Sequence, residues 1–306
     1  ANSILKHPSS LPTIIHCNGE EGALLHELRS RYDFKLVSTV RYSHYPRPMK
    51  AARRSVSERF LLKLKHSKYL LQEKAAKHAD MVCPPSEWAA REVIAAFHLD
   101  PSNVEAVPNG VPKEFLRYER QPEAISKGDI VFFGRLSHDK GVDVLIRAYA
   151  KLEIKGNKRL HIVGKGPMEG VLQKMVADFG LQDSVLFHGW ENHDQIGERL
   201  CKASMCVLPS LDENYSLALL GSLCTGTATI STSVGGSPEI IQDGITGLLV
   251  EAADVKQLAE AMTKLTDDHS LNERVGLNGM QFVRDHRTWK DSASHFCRIY
   301  ERIHSF

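Results

Sequence analysis

From residue 129 onward, the chain alternates short β-branched apolar runs with amphipathic stretches. Apolar runs bounded by turn residues are typical of buried strands, and apolar residues at three- and four-residue spacing are typical of helices that cover a sheet. Repeated alternation of this kind predicts a doubly wound α/β fold with a parallel sheet. Strands are predicted at 129–133, 159–163, 184–187, 204–208, 227–231 and 247–250, and helices at 142–152, 168–179, 194–202, 216–224, 238–241 and 255–265, with Asp254 as the last helix's N-cap.

The first part of the chain alternates less regularly. Strands are predicted at 13–17, 35–40, 81–83 and 104–107, with a helix-like stretch at 1–7 and a long basic helix at roughly 49–78. The polar stretch 118–128, which contains a proline and a glycine, is the expected break between domains. We therefore expect an N-terminal domain at 1–120 and a C-terminal domain at 121–288. The N-terminal domain is short, and no strand and glycine-rich turn opens it, so it reads as a domain entered in the middle.

Charge and cysteine content limit the function classes. The net charge is only +2, which gives no global argument for nucleic-acid binding. The segment 41–77 is an exception, since it holds 11 Lys and Arg against 2 Glu, or 11 − 2 = +9. None of the 6 cysteines forms a Cys-x-x-Cys pair, which favours reduced thiols in a cytoplasmic protein. No apolar run approaches the roughly 20 residues that span a bilayer.

A cationic turn follows the predicted strand 129–133. Its sequence is Gly134-Arg135-Leu136-Ser137-His138-Asp139-Lys140-Gly141. A single exposed cation would be an ordinary solvated side chain. Two cations in one strand-to-helix turn, with glycines that permit close backbone approach, favour phosphate binding through Arg135 and Lys140.

Three further turns carry residues suited to an anionic sugar ligand. After strand 159–163 comes a Gly-x-Gly turn, a weak phosphate signal that equally fits plain turn geometry. After strand 204–208, Glu213 precedes the start of a helix, where it would either bind sugar hydroxyls or serve the helix dipole. The turn after strand 227–231 is a glycine pair that leads to Glu239. A plain strand-to-helix connection explains Glu239 nearly as well as contact with a ligand. The candidate donor-binding residues in these turns and the preceding one are Gly134, Gly164, Gly166, Pro209, Asn214, Tyr215, Ser216, Leu217, Gly235, Gly236 and Glu239.

The N-terminal part offers His16, which ends a predicted strand, and His44, which lies in the loop after another, as candidate contacts, and the resemblance described below adds Arg41. A lone histidine is more often structural than catalytic. The chain shows no metal-ligand spacing and no Gly-x-Ser-x-Gly motif.

These residues resemble glycosyltransferase family 4, whose members are retaining enzymes of the GT-B fold. The resemblance is carried by the Gly134–Gly141 segment, by Val163-Gly164-Lys165-Gly166-Pro167, by Pro209-Ser210 with Glu213, by Val234–Glu239 and by Asp243–Val250. Val107-Pro108-Asn109-Gly110-Val111 and a last helix at 289–306 that packs back on the N-terminal domain also fit. The resemblance implies two facing Rossmann-like domains, the N-terminal one incomplete, with the donor in the cleft.

The resemblance also assigns roles. It implies that Arg135 and Lys140 neutralise the donor diphosphate and that Glu213 holds sugar hydroxyls. The family's second glutamate, a ribose ligand, falls on Gly221, and its usual histidine after a Thr-Val strand end falls on Arg41, with His44 three residues on. The family's opening strands and glycine loop are not in this sequence.

The resulting interpretation is a retaining hexosyltransferase that uses a UDP- or GDP-sugar donor, without a metal or cofactor, in cell-envelope polysaccharide, glycolipid or glycoconjugate synthesis. Its acceptor would be a sugar, a lipid or a small molecule. A catalytically weakened homologue that acts as a binding or partner subunit is one alternative, and a GT-B sugar-nucleotide epimerase is another. The basic segment 47–77 adds an anionic membrane surface as a candidate partner, through peripheral association.

Overall fold

The computed structural model describes residues 13–40, 56–152 and 158–304, with side chains from residue 67 onward in the helix that starts at Val56. The chain divides into two compact units, residues 1–108 with 293–306, and residues 109–292. Each unit contains a parallel sheet, which confirms the α/β class.

The first unit holds a three-stranded parallel sheet in the order β1-β2-β3. Its elements are β1 (Thr13–Asn18), β2 (Phe34–Thr39), α1 (Val56–Lys77), β3 (Met81–Val82) and α2 (Glu87–Phe97). Helix α2 begins at Ser86, whose hydroxyl accepts the Ala89 N–H, as expected of an N-cap. The last part of the C-terminal helix, α10 (Trp289–His304), packs Ile299 and Ile303 on this sheet, against Val37 and Met81.

The predicted strand at 104–107 is wrong. Only Val104 forms an isolated bridge, to Val82. The neighbouring strand β3 has two residues and is followed by Pro84 and Pro85, which have no N–H to donate, so a longer ladder cannot form.

The second unit holds a six-stranded parallel sheet in the order β6-β5-β4-β7-β8-β9. Every strand residue of β7 is buried, which fits a sheet that is covered on both faces. The elements are α3 (Ala124–Lys127), β4 (Asp129–Phe133), α4 (Val142–Ala150), β5 (Leu160–Val163), α5 (Glu169–Asp178), β6 (Val185–Gly189), α6 (His193–Cys201), β7 (Ala203–Leu208), α7 (Leu217–Cys224), β8 (Thr229–Thr232), β9 (Leu248–Val250), α8 (Val255–Asp267), α9 (His269–His286) and α10 (Trp289–His304).

The predicted elements of this unit are confirmed with one exception. The helix predicted at 238–241 is a single 3₁₀ turn, Ser237–Glu239. Residues 242–246 then form a tight turn, in which the Thr246 hydroxyl accepts the Gln242 N–H at 2.9 Å, and this ends the helical path. Helix α8 begins at Asp254, whose carboxylate accepts the N–H groups of Lys256 and Gln257.

Two chain connections meet at one point of the second unit. The Val111 N–H donates to the Arg287 carbonyl at 2.7 Å. A Cβ on Gly110 would overlap the backbone of Thr288 and Trp289. Segment 109–111 and the α9–α10 junction are therefore in direct backbone contact, and only glycine fits at position 110.

Candidate functional site

The strand order of the second unit points to one edge of its sheet. From β4 the chain proceeds to β5 and β6 on one side, and β7, β8 and β9 continue on the other side of β4. The loops after β4 and β7 therefore diverge, and the crevice between such loops at the carboxyl ends of the strands is where open α/β sheets bind ligands. The loop 134–141 follows β4, and the loop 209–216 follows β7.

The loop after β4 contains both predicted phosphate-binding cations. It turns at Gly141, whose φ is +61°, and α4 starts at the next residue. The Arg135 side chain is exposed, and its guanidinium makes no hydrogen bond or ion pair within the described part of the chain. The Lys140 ammonium lies 2.7 Å from Oε2 of Glu213, so this loop meets the loop after β7 through an ion pair.

Four glycines fix the loops at this edge against one another. At each of them, a Cβ would overlap a carbonyl oxygen of the neighbouring loop, so no other residue permits the same approach. The overlaps are between Gly164 and Gly134, Gly166 and Leu136, Gly141 and Pro209, and Gly235 and Glu213. The loops after β5, β4, β7 and β8 are therefore in backbone contact, and the structure brings most of the predicted donor-binding residues together.

Helix α7 starts at the same edge. The Ser216 hydroxyl accepts the Leu219 N–H at 3.2 Å and caps the helix, and the Asn214 carbonyl accepts the Gly236 N–H from the next loop. Pro209 is buried, whereas Leu217 is 41% exposed. The positive end of the helix dipole favours an anion at this start of α7.

Tyr215 is buried, and burial raises the pKa of its phenol to about 12. The positive charge of Arg287, which lies nearby, opposes that rise. The Arg287 guanidinium also donates to the Glu239 carbonyl at 3.5 Å. Arg287 therefore connects the loops after β7 and β8, a position that no motif in the sequence indicated, because the residue lies beyond α9 and far from both loops along the chain.

Gly221 lies in the second turn of α7 and is buried. A Cβ at this position would come within 2.9 Å of the Phe115 ring, which is only 1% exposed. An aromatic ring thus fills the space beside the position that lacks a carboxylate. Introducing a larger side chain at Gly221 would displace a buried phenylalanine, with destabilisation typical of an overpacked core.

The N-terminal candidates do not form a common site in the described residues. His16 lies in β1, with Nδ1 at 2.6 Å from the Tyr300 hydroxyl and Nε2 at 2.7 Å from Oγ1 of Thr39. Both ring nitrogens are therefore engaged within the first unit, and desolvation lowers the pKa of His16. Arg41 and His44 lie outside the described residues.

A second polar cluster draws its side chains from β4, β5, β6 and α6, beside a cavity of about 420 Å³. His161 Nε2 lies 2.9 Å from Oδ2 of Asp129, and His161 Nδ1 lies 2.8 Å from His188 Nε2. Arg199 contacts His161 Nδ1 at 3.2 Å and forms a two-point ion pair with Glu191. Because these side chains are hydrogen-bonded and ion-paired to one another, we interpret the cluster as structural. We assign function to the carboxyl edge of the sheet instead.

Two negative findings concern the described residues only. No group of three or more His, Cys, Asp or Glu among them is placed to hold a metal ion. No helix in that part of the chain is long and apolar enough to cross a membrane.

Comparison with known proteins gives matches over both units. The model of the family "Glycosyl transferases group 1" matches residues 117–282, and that of "Glycosyltransferase Family 4" matches residues 4–115. An uncharacterized glycosyltransferase of Methanocaldococcus jannaschii is 28% identical over 221 residues, which cover 69% of this chain and 57% of the relative. The MMP alpha-(1->4)-mannosyltransferase of Mycolicibacterium hassiacum is 25% identical over 299 residues, covering 94% of this chain and 70% of that protein.

Solved structures agree on the fold. HepE of Anabaena, in complex with UDP, superposes with a TM-score of 0.78 at 16% identity, over 95% of this chain and 79% of HepE. Identity this low supports likeness of fold alone.

Proposed function

The chain belongs to the family of group 1 glycosyl transferases and has the GT-B fold, and from that premise we propose that it transfers a hexosyl group from a nucleoside-diphosphate sugar to an acceptor. The observation that carries the proposal is the carboxyl edge of the second unit's sheet. There, the Arg135 guanidinium, which has no ion pair or hydrogen bond with any described residue, and the Lys140–Glu213 pair lie in loops that flank the point where strand order reverses.

The chemistry of this edge suits a diphosphate leaving group. As the glycosidic bond of the donor breaks, negative charge develops on the bridging phosphate oxygen, and fixed cations stabilise that charge. We assign this role to Arg135 and Lys140, without a metal ion. Glu213 accepts hydrogen bonds from donor sugar hydroxyls, and the amides at the start of α7 contact phosphate or sugar. The surrounding wall of the donor site is formed by Gly134, Gly164, Gly166, Pro209, Asn214–Leu217, Gly235, Gly236 and Glu239.

Names of similar proteins support a nucleotide-sugar donor and a sugar-like acceptor. One structural neighbour was solved with UDP, and one relative is named as a mannosyltransferase. We propose retention of anomeric configuration, from the resemblance to family 4. The acceptor side is proposed to lie in the first unit, where Thr39 and Tyr300 hold the His16 ring by hydrogen bonds.

The test is calorimetric binding of UDP and GDP to the full chain. Arg135→Ala removes a charge-assisted contact of about 1.5–3 kcal/mol, so nucleotide affinity should fall at least about tenfold. Arg159→Ala is the matched control, because Arg159 is an exposed arginine at the opposite end of the same sheet. Equal affinity in Arg135→Ala and the unmodified protein, with unchanged melting temperature, would remove Arg135 from the site. Transfer from the donor that binds, followed by NMR of the product, then gives the anomeric configuration.

One observation favours a second candidate function, a catalytically weakened homologue that acts as a binding or partner subunit. Position 221 carries no carboxylate, and Phe115 fills the neighbouring space. Donor hydrolysis and transfer assays separate the candidates, since a binding subunit would retain nucleotide affinity and show no turnover above buffer.

A membrane surface remains a proposed partner of segment 47–77. All three lysines of α1 whose side chains are described form ion pairs, Lys68 with Glu20, Lys74 with Glu27 and Lys77 with Glu73. The proposal therefore rests on the basic residues before position 67. Co-sedimentation with anionic vesicles should exceed that with neutral vesicles at low salt and disappear at high salt. Equal recovery with both vesicle types would contradict it.

A further inference from the structure

Lys140 and Glu213, the two charged residues proposed to act on different parts of the donor, are bound to each other in this structure. The ammonium lies 2.7 Å from the carboxylate, and the side chains are only 24% and 15% exposed. The other nearby carboxylate, that of Asp139, is 3.9 Å from the ammonium and 51% exposed. Glu213 is therefore the principal counter-ion of Lys140.

The loops that hold this pair are not free to separate. The Leu211 N–H donates to the Asp139 carbonyl at 2.7 Å, which ties the loop after β7 to the loop after β4. The close approach of Gly235 to the Glu213 carbonyl holds the loop from its other side. A diphosphate that reaches Lys140 must therefore displace the Glu213 carboxylate by side-chain rotation and remain close to it.

This displacement has different consequences for the two ligands that the proposed reaction offers. An intact donor brings sugar hydroxyls, which donate hydrogen bonds to the displaced carboxylate. A spent nucleoside diphosphate brings only negative charge, and an unpaired carboxylate next to it repels the phosphates. Specificity is a difference of affinities, and a repulsive element against one ligand produces it efficiently.

Resting on the proposed function, we propose that Glu213 discriminates between the intact donor and the nucleoside-diphosphate product. When donor hydroxyls are present to bind the Glu213 carboxylate, the carboxylate leaves Lys140, and Lys140 binds the diphosphate. After transfer, the hydroxyls leave with the acceptor, the carboxylate returns to Lys140, and the product is expelled. Glu213 thus has a second role beyond contact with the sugar, which is to weaken product binding.

The experiment is calorimetric titration of UDP and GDP, without sugar, into the full chain and its Glu213→Gln variant. Removing the competing charge should tighten binding of the nucleotide about three- to tenfold, although the same variant loses turnover. Asp139→Asn is the matched control, since it removes an equally charged carboxylate that is half exposed and 3.9 Å from the Lys140 ammonium, and it should change affinity less than about twofold. In a Lys140→Met background, Glu213→Gln should not tighten nucleotide binding, because the ammonium for which Glu213 and the diphosphate compete is absent.

The outcomes separate this inference from the function on which it rests. Unchanged or weaker nucleotide binding in Glu213→Gln, with a melting temperature equal to that of the unmodified protein, would overturn the inference and leave the donor assignment intact. If the unmodified protein and the Glu213→Gln variant bind no nucleoside diphosphate, both proposals fail. Should Glu213→Gln fold poorly, Glu213→Ala provides the same comparison, and in the unmodified protein the product inhibition constant should exceed the KM for the donor.

Discussion

Two polar regions of the second unit differ in how their groups are satisfied. In the cluster beside the cavity, contacts between side chains join Asp129, His161, His188, Arg199 and Glu191 in one network. At the carboxyl end, Arg135 has no partner among the described residues, and the loops are held by backbone approach at glycines instead. In these loops, the close backbone approach at glycines supplies rigidity without engaging the Arg135 guanidinium, which can therefore bind a ligand.

The largest expected effect comes from breaking that rigidity. Gly141→Ala places a Cβ against the Pro209 carbonyl in a residue with a φ of +61°, so we expect a stability loss of about 2–4 kcal/mol and weaker nucleotide binding. Gly180→Ala is the control, because Gly180 has a φ of +65° but open space around its Cβ position, and should cost only about 1–2 kcal/mol. Urea unfolding and UDP titration measure both. Equal losses in the two variants would mean that the loop contact is unimportant.

A smaller effect is expected from a buried hydrogen bond of Arg120, near the amino end of β7. Arg120 donates to Oδ1 of the fully buried Asn272 at 2.6 Å, and burial lowers the Arg120 pKa to about 10. Arg120→Met should reduce stability by about 1.5–3 kcal/mol and leave nucleotide affinity unchanged. Arg117→Met, three residues earlier and 60% exposed, should cost less than about 1 kcal/mol. A drop in nucleotide affinity in folded Arg120→Met would show that the two ends are not independent.

The smallest effect concerns acid. Desolvation, together with Arg199 and His161, lowers the pKa of His188 from its ordinary value of 6.5. Because the unfolded chain then binds this proton more readily, the stabilisation is complete above pH 6.5 and is lost as pH falls through the lower native pKa. The urea midpoint should fall between pH 6.5 and 5, and His188→Gln should flatten that dependence. The groups that act on His188 are Arg199, His161 and Glu191. An unchanged slope in the variant would show that His188 is not the cause of the pH dependence.

Elements with marked ends could be predicted from the sequence. Strand β4 was predicted to the residue, since Gly128 and Gly134 bound its apolar run, and α8 was predicted from the Asp254 cap. The prediction of a strand at 104–107 is wrong because β-propensity cannot show whether the partner strand is long enough to pair with it. The candidate loops were found because their residue types are chemically specific, and their roles stay predictions.

Contacts between distant parts of the chain could not be predicted. Lys140 and Glu213 are separated by 73 residues, and only the strand order brings their loops together. Arg287 and Phe115 carry no local motif, so their positions beside Tyr215 and Gly221 depend on tertiary packing alone. Sequence patterns report the periodicity of one element, whereas these contacts need the arrangement of several.

The contact of Gly110 with Thr288 and Trp289 has a consequence for protein engineering. The polypeptide enters the second unit at residue 109 and leaves it after residue 292, and segments next to these points are in backbone contact, Gly110 with Thr288 and Trp289 and Val111 with Arg287. Along the chain, residues 109–292 are inserted between the two segments of the first unit, and the ends of the insertion adjoin. Such an arrangement tolerates excision, transplantation and circular permutation. A gene fragment for 109–292 is therefore expected to fold as a portable module, and grafting it between two neighbouring positions of a host loop would need almost no linker.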